Sequence, residues 1–320
     1  MLQSSSPYSL PLKSTTGRAK KAGAQFSSLG SSGSGASGQV PGSLPGPARA
    51  VLGGFSRLAP KAAAGLAETL FLTPLRIKSP WREEWWATDA EDIVLRDGSG
   101  RPLQAWRWGT GGPTVLLVHG WGGRGLQMGA FAAPLVEAGF QVVAFDGPGH
   151  GKSSGRRSSL PDFATAVSAV VEQLGGVHGI VAHSFGAAAT TFSRAGREEV
   201  GERLVFVAPA SSFSSIKRQF SQLTGFTTDV VGHMQGRIEQ RYGIRWQEVE
   251  PQGLASGLKM PLLVFHDEQD VEIPWQDSRR LTELWPDSRF ELTQGLGHHR
   301  ILREQHILDR TVAFMTEPGV

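Results

Sequence analysis

The sequence predicts an α/β fold built around a mostly parallel sheet. Six short, continuous apolar runs lie between residues 114 and 295, and stretches with helical periodicity separate most of them. Apolar runs of this length are typical of strands that are buried on both faces of a parallel sheet. Their alternation with helices indicates a right-handed βαβ series within one domain.

Before this series, residues 91–109 alternate apolar and polar side chains on both sides of Asp97-Gly98-Ser99-Gly100. These four residue types favour a hairpin turn, so an N-terminal antiparallel hairpin is expected to open the sheet. Further upstream, residues 59–71 have the spacing of a packing helix that ends before Pro74. We therefore expect the structured domain to comprise residues 60–320.

The parallel series follows in chain order. The expected strands are Thr114–Gly120, Gln141–Asp146, Val177–Ser184, Arg203–Pro209, Pro261–Asp267 and Arg289–Gly295. The expected helices are Leu126–Ala138, Leu160–Leu174, Phe185–Ala195, Asp277–Leu284 and Glu304–Phe314.

One interval, of 50 residues from Ala210 to Lys259, is far longer than an ordinary connection. Its helix-compatible sequence predicts a short helical lid inserted at residues 211–258.

The basic charge of the chain is concentrated at its N-terminal end. The chain carries a formal charge of +3, but residues 1–67 hold seven of the 32 Lys and Arg residues and no acid. The remaining 25 basic residues stand against all 29 acidic residues, so residues 68–320 carry −4. This balance argues against a nucleic-acid groove in the domain.

Residues 1–59 are expected to be a disordered, Gly/Ser/Pro-rich basic tail. Of the first 50 residues, 25 are Gly, Ser or Pro, which leaves too little apolar surface to offset the entropy of ordering. Two alternatives are an organelle transit segment, which is also Ser-rich, basic and free of acids, and a basic tethering arm.

Composition excludes several other classes of protein. Without Cys, the chain has no disulfide, thiolate nucleophile or Cys-ligated metal, and its nine His are scattered without ligand spacing. We therefore expect no metal and no other cofactor. The aliphatic runs are too short to span a membrane, and residues 1–14 lack the apolar core of a secretory signal. A cytoplasmic location is expected, and the oligomeric state is left open.

Two stretches match the pattern of a nucleophilic serine. Gly151-Lys152-Ser153-Ser154-Gly155 fits G-x-S-x-G literally and also resembles a phosphate-binding loop, but a polar loop follows it in place of a helix. Residues 182–186, AHSFG, have alanine at the first position yet lie between a strand and a helix of small residues. Ser184 is thus the candidate nucleophile, and a helix-capping serine is the alternative.

A nucleophilic serine needs a base and a carboxylate that orients the base. Asp270 follows the fifth apolar run, and His298 follows the sixth within Gly295-Leu296-Gly297-His298. Since the carboxyl ends of parallel strands converge at one edge of a sheet, both side chains can reach Ser184. Asp267 competes with Asp270 for the role of the acid, and His299 competes with His298 for the role of the base.

Together these motifs resemble the α/β-hydrolases of the serine esterase and lipase type over residues 90–315. In superfamily order they are His119-Gly120-Trp121-Gly122-Gly123, the D-x-x-G-x-G-x-S loop of residues 146–153, AHSFG, Asp270-x-x-x-Pro274 and the GxGH of residues 295–298. The resemblance implies that Ser184 is the nucleophile, His298 the general base and Asp270 its orienting acid. It also implies an oxyanion hole formed by the backbone N–H groups of Trp121 and Phe185.

The resemblance further implies cleavage of a small-molecule carboxylic ester or thioester through an acyl-enzyme. An acyltransferase or a carbon–carbon hydrolase could use the same triad, and a catalytically silent binding module is an alternative from another class. In the lid, the expectation is that Phe213, Phe220, Phe226 and Met234 line an acyl pocket. Equally, these four residues could form the face by which the lid packs on the domain.

Overall fold

An eight-stranded sheet forms the centre of the computed structural model, which describes residues 43–76, 81–196 and 202–318. The strands are β1 (Glu91–Arg96), β2 (Pro102–Trp108), β3 (Thr114–Val118), β4 (Gln141–Phe145), β5 (Gly179–His183), β6 (Arg203–Val207), β7 (Leu262–Asp267) and β8 (Ser288–Thr293). Their order is β1-β2-β4-β3-β5-β6-β7-β8. The β1–β2 and β2–β4 pairs are antiparallel and the other pairs are parallel, which confirms the predicted α/β-hydrolase type of sheet.

Helices cover both faces of this sheet. They are α1 (Gly46–Leu58), α2 (Pro60–Phe71), α3 (Trp81–Trp86), α4 (Ala132–Glu137), α5 (Leu160–Gln173), α6 (Phe185–Arg194), α7 (Phe213–Thr224), α8 (Thr228–Tyr242), α9 (Trp246–Val249), α10 (Pro251–Leu254), α11 (Trp275–Leu284), α12 (Gly297–Arg300) and α13 (Gln305–Thr316). None of the described helices is long and apolar enough to cross a membrane.

The buried strands supply two apolar clusters, one on each face of the sheet. Successive strand residues point to opposite faces. Leu116 and Ile180 accordingly pack in the cluster that contains α5, whereas Leu117 and Val181 pack in the cluster that contains α13. Because β3 to β7 are buried on both faces, their sequences read as continuous apolar runs, which is the pattern that predicted them.

The hairpin turn is held by its first residue. The Asp97 carboxylate accepts hydrogen bonds from the backbone N–H groups of Ser99 (2.9 Å) and Arg101 (3.0 Å), and Gly100 takes a φ of 81°. A short Asp side chain can bond the backbone two residues ahead, and glycine tolerates positive φ, so this sequence closes β1 onto β2.

The predicted helix over residues 126–138 is interrupted. Gly125–Phe131 forms a 3₁₀ helix, and only Ala132–Glu137 is α-helical. The backbone N–H of Gly125 donates to the Asp146 carboxylate (2.7 Å), which ties the start of this segment to the end of β4. This contact accompanies the change from α-helical to 3₁₀ geometry, and the helical periodicity of the sequence does not predict it.

Structured chain begins earlier than the predicted boundary at residue 60. Helix α1 ends at Leu58, and its Leu52 and Phe55 pack against a third apolar cluster formed by α2, α7 and α8. The backbone N–H of Leu44 donates to the Leu223 carbonyl (2.9 Å). The Gly/Ser/Pro-rich composition of this region does not predict α1, because tertiary packing of its apolar face stabilises the helix. Residues 1–42 of the predicted disordered tail lie outside the described residues.

The long interval between β6 and β7 is helical, as its sequence indicates. Helices α7 to α10 fill it, and α8 lies against α2. The buried carboxylate of Glu68 in α2 accepts hydrogen bonds from Arg237 (2.6 Å) and Arg241 (2.7 Å) of α8. Burial by itself raises the pKa of Glu68, but the two guanidinium groups outweigh it and hold that pKa below the usual value. The ion pairs therefore fasten the inserted helices to the N-terminal helices.

Candidate active site

Ser184 stands on a sharp turn between β5 and α6. Its backbone angles are φ 51° and ψ −119°, a conformation that is unfavourable for a residue with a side chain. Among the described residues, only Ser184 and Ala208 combine a side chain with a positive φ. A strained, non-glycine backbone that persists in a fold marks a position that the surrounding structure constrains, and such positions cluster at functional sites.

Small residues make this turn possible. A Cβ atom added to Gly186 would lie 2.4 Å from the His119 carbonyl oxygen and 2.8 Å from that of Val118. The N-terminal end of α6 therefore sits directly against the end of β3, and only glycine fits at this contact. Ala182, which stands where this motif usually has glycine, is fully buried in β5. Its methyl group is therefore accommodated within the apolar core.

His298 and Asp270 reach Ser184 from the neighbouring strand ends. His298, at the start of α12, has its Nε2 3.1 Å from Ser184 Oγ and its Nδ1 2.7 Å from Asp270 Oδ2. Since a carboxylate accepts hydrogen bonds, Nδ1 carries the proton and Nε2 presents its lone pair to the serine hydroxyl. The three side chains thus form one hydrogen-bonded chain at the carboxyl edge of the sheet.

The Asp270 carboxylate is built to remain ionised. Burial raises its pKa, but hydrogen bonds from His266 and His298, the positive charge that His298 carries once protonated, and the backbone N–H of Ile273 together hold that pKa well below the usual range. Oδ1 accepts from the backbone N–H groups of Glu272 (2.8 Å) and Ile273 (2.9 Å). A carboxylate with several donors stays charged and keeps a fixed orientation.

The competing residues have other partners. Asp267 accepts hydrogen bonds from Thr293 Oγ1 (2.8 Å) and from the backbone N–H groups of Leu296 (3.0 Å) and Gln269 (3.0 Å), so it fastens the loop after β8 to the end of β7. His299 Nε2 lies 3.0 Å from Glu272 Oε1. The geometry brings Asp270 and His298, rather than Asp267 and His299, to Ser184.

The two residues predicted to supply the oxyanion donors lie near the serine. Phe185 is the first residue of α6, a position where the backbone N–H has no partner within the helix. Trp121 follows Gly120, where an added Cβ would lie 3.0 Å from the Ser184 Cβ atom, so this loop touches the serine. The rings of Trp121 and Phe185 make an edge contact with centroids 5.1 Å apart.

Two further buried histidines, His119 and His150, lie in the loops after β3 and β4. His119 Nδ1 lies 2.6 Å from the Gly120 carbonyl oxygen, and its Nε2 accepts the backbone N–H of Gly147 (2.9 Å). Burial lowers the pKa of His119 to about 4 and that of His150 to about 3. Both rings are therefore uncharged at neutral pH, consistent with structural roles. Within the described residues, no group of three or more His, Asp or Glu is arranged to hold a metal ion.

Comparison with known proteins identifies the family. The model of a family described as the alpha/beta hydrolase family matches residues 115–309, which is more than half of the chain. The chain belongs to this family. Membership of this family indicates that the protein is a hydrolase, in agreement with its fold and with the motifs that predicted the family.

Named relatives share the fold at low sequence identity. The uncharacterized protein YfhR of Salmonella typhi is 28% identical over 238 residues, which cover 66% of this chain and 75% of that protein. The esterase Pf2001 of Pyrococcus furiosus superposes with a TM-score of 0.60 at 17% identity, over 77% of this chain and all of that one. The esterase EaEST of Exiguobacterium antarcticum superposes with a TM-score of 0.56 at 16% identity, over 71% of this chain and all of that one.

Sequence reasoning missed two residues beside the candidate triad of this α/β hydrolase. His266 is fully buried in β7, with Nε2 3.1 Å from Asp270 Oδ2 and Nδ1 2.6 Å from the Ser278 hydroxyl. Glu272 Oε2 lies 3.9 Å from His298 Nε2. Both residues lie close to Asp270 in sequence. Their contacts depend on the direction of each side chain, which residue spacing does not predict.

The four predicted lid residues lie together in the third apolar cluster. Phe213, Phe226 and Met234 are buried there, and Phe220 is partly buried against Phe71 with ring centroids 5.2 Å apart. Their described contacts are those of a packing face between α2 and the helices α7 and α8. A role in binding an acyl chain stays a prediction.

Proposed function

We propose that this α/β hydrolase cleaves carboxylic esters, or thioesters, through an acyl-enzyme on Ser184. The observation that carries the proposal is the chain of hydrogen bonds from Ser184 through His298 to Asp270 at a strained strand-to-helix turn. A serine in this arrangement has both a base to take its proton and a buried carboxylate to stabilise the imidazolium that forms. The two structural neighbours described above are named esterases, which supports the same chemistry.

In the proposed first half-reaction, Ser184 Oγ attacks the substrate carbonyl carbon while its proton passes to His298 Nε2. The tetrahedral oxyanion is stabilised by the backbone N–H groups of Phe185 and Trp121. Collapse of this intermediate breaks the bond to the leaving alcohol or thiol, which takes the proton from His298. Backbone donors of this kind act on charge that develops in the transition state, so they accelerate the reaction rather than merely binding the substrate.

In the second half-reaction, His298 removes a proton from water, and the resulting hydroxide attacks the acyl carbonyl carbon. Breakdown of the second tetrahedral intermediate releases the carboxylic acid and returns the proton to Ser184. Throughout both steps Asp270 remains a carboxylate, because the hydrogen bonds it accepts hold its pKa well below the usual range. Its role is to hold the Nδ1 proton of His298 in place.

Labelling of the full chain with a fluorophosphonate probe, read by mass spectrometry, tests the nucleophile directly. We expect covalent modification of Ser184 and none of Ser153, the serine of the second motif. The same protein is then assayed with p-nitrophenyl esters from acetate to octanoate. Ser184→Ala should abolish labelling, and Asp270→Asn should lower turnover by about 10²–10⁴-fold, since it reverses the hydrogen-bonding roles of the His298 nitrogens.

Circular dichroism and thermal unfolding of each variant provide the control for folding. Folded wild-type protein that the probe does not label would contradict the proposal and favour the silent binding module. Labelling accompanied by transfer of the acyl group to added alcohols, in preference to water, would assign an acyltransferase instead. Labelling with no turnover of any ester in the panel would point to the carbon–carbon hydrolase alternative.

A further inference from the structure

Glu272 lies beside the nitrogen of His298 that faces the nucleophile. Its Oε2 is 3.9 Å from His298 Nε2, which is itself 3.1 Å from Ser184 Oγ. The carboxylate is therefore within about 7 Å of the nucleophilic oxygen, the two distances taken together. The triad already uses Asp270 as its acid, so this second carboxylate needs a separate account.

Contacts on either side hold Glu272 in this position. Its backbone N–H donates to Asp270 Oδ1 (2.8 Å), and its Oε1 lies 3.0 Å from His299 Nε2. Burial raises the pKa of Glu272, but the hydrogen bond from His299 and the charges of His298 and His299 hold that pKa below the usual value. The side chain is 28% exposed, so an ionised carboxylate faces the solvent from which a substrate arrives.

The proposed mechanism determines which part of the substrate meets this charge. His298 Nε2 takes the proton from Ser184 and then gives it to the departing group, so the leaving alcohol must pass close to Nε2. Glu272 flanks the same nitrogen. A group two carbons away from the ester oxygen of the alcohol therefore enters the field of the Glu272 carboxylate, whereas the acyl chain need not.

We propose that Glu272 makes this α/β hydrolase select esters whose alcohol portion carries a positive charge. The inference rests on the acyl-enzyme function proposed above and extends it to the class of leaving group. A cation is attracted to the carboxylate and an anion is repelled, both in the bound state and during approach.

His299 sets the strength of this selection as the pH changes. The hydrogen bond with Glu272, together with the charges of Glu272 and Asp270, raises the pKa of His299 against the effects of burial and of Arg303. Two further titratable rings face His299, that of His298 with centroids 5.0 Å apart and that of His183 with centroids 5.9 Å apart. Below the pKa of His299, its imidazolium neutralises Glu272. Above it, the carboxylate keeps its full charge beside His298 and near the ionised Asp270. The preference for cationic alcohols should therefore increase as the pH rises through the titration of His299.

Three esters that share one acyl group test the proposal in the full chain. The alcohols are choline, its neutral isostere 3,3-dimethylbutan-1-ol and the anionic 2-hydroxyethanesulfonate, and the acyl group is the best one in the p-nitrophenyl series. We expect kcat/KM to fall in the order choline, isostere, sulfonate. The ratio of the choline ester to the isostere should be on the order of tenfold at low ionic strength and should shrink in 0.5 M salt.

Glu272→Gln removes the charge, and Glu268→Gln is its matched control. Glu268 is an exposed carboxylate in the same loop, bonded to Gln294 (2.8 Å) rather than to a histidine of the site. We expect E272Q to lower the choline-to-isostere ratio by about five- to tenfold and E268Q to leave it unchanged. The readout is a ratio within each variant, so a general loss of activity does not enter it.

His299→Asn provides the second arm. It removes the counter-cation, so in this variant the ratio should be high at every pH at which Glu272 is ionised, whereas in the wild type it rises further through the titration of His299. A wild-type ratio of one or less would overturn the proposal. So would an E272Q variant that loses activity equally towards all three esters, since Glu272 would then act only through His298. Failure of the proposed function is a different result, because Ser184 would not be labelled.

Discussion

At the scale of the residue, Ser184 carries strain that can be measured. Its φ of 51° with ψ of −119° suits glycine, and a side chain in such a conformation costs on the order of 1–3 kcal/mol. Contacts of Gly120 and Gly186 with β3, β5 and the serine itself force the turn. The fold therefore supplies free energy that keeps the serine hydroxyl directed at His298.

We expect Ser184→Gly to be more stable than Ser184→Ala by about 1 kcal/mol, because glycine relieves the strain while both variants lack the hydroxyl. Urea unfolding monitored by circular dichroism measures the difference. The matched control is Ser168 in the middle of α5, where glycine should be less stable than alanine by about 1 kcal/mol. The same order at both positions would show that residue 184 is not strained.

The sequence predicts the identities of the candidate triad but not its surroundings. Ser184, Asp270 and His298 are recognisable because each follows a strand of the parallel series, and the ends of parallel strands share one edge. His266 lies at the end of β7 and Glu272 in the loop that follows, yet their partners depend on side-chain directions fixed by the Asp270 carboxylate and by Ser278. Such directions are a tertiary property, which residue spacing does not determine.

At the scale of the element, the strands were easier to predict than the helices. β3 to β7 are buried on both faces, so their apolar runs need no tertiary information to be recognised. Helix α1 shows the reverse case, because its apolar face is narrow and interrupted by Gly53 and Gly54. Its stability comes from packing against α2 and α7, and α7 begins 155 residues after α1 ends.

Substitution of Met234 tests whether the apolar residues of the inserted helices α7 to α10 pack the domain or bind an acyl chain. Met234 has no exposed surface and belongs to the third apolar cluster, which joins residues of α2, α7, α8 and α9. Met234→Ala should lower the free energy of unfolding by about 2–4 kcal/mol, because a cavity forms in a packed cluster. We expect it to leave the preference for ester chain length unchanged.

Urea unfolding and the p-nitrophenyl ester series measure these two effects on the same preparation. Phe220→Ala is the companion variant, since Phe220 is only partly buried in the same cluster. A shift of either variant towards short esters, with stability unaltered, would instead assign these residues to an acyl pocket. The two alternatives for the lid residues thus give opposite results in the two assays.

At the scale of the whole molecule, the excess of basic charge and the candidate site occupy different parts of the chain. Five of the seven basic residues that precede the first acid, Glu68, lie before residue 50, and the candidate site lies on residues 119–299. The formal charge of −4 on residues 68–320 agrees in sign with the carboxylate at position 272. A domain of this charge does not attract anionic substrates at long range, which is consistent with the proposed preference for cationic alcohols.

The boundary of the folded domain gives the last prediction. Residues 43–59 contribute Leu52 and Phe55 to the third apolar cluster, and the buried hydroxyl of Ser56 lies 3.5 Å from the backbone nitrogen of Thr227. We expect a chain that begins at residue 43 to keep the thermal stability and ester turnover of the full chain. A chain that begins at residue 60, the boundary predicted from composition, should lose about 2–4 kcal/mol of stability, because two large apolar side chains no longer cover the third apolar cluster. Differential scanning calorimetry of the two truncated chains beside the full chain measures this difference. Equal melting temperatures for the two truncated chains would show that α1 adds nothing to the domain, and a loss on removing residues 1–42 alone would move the boundary further upstream.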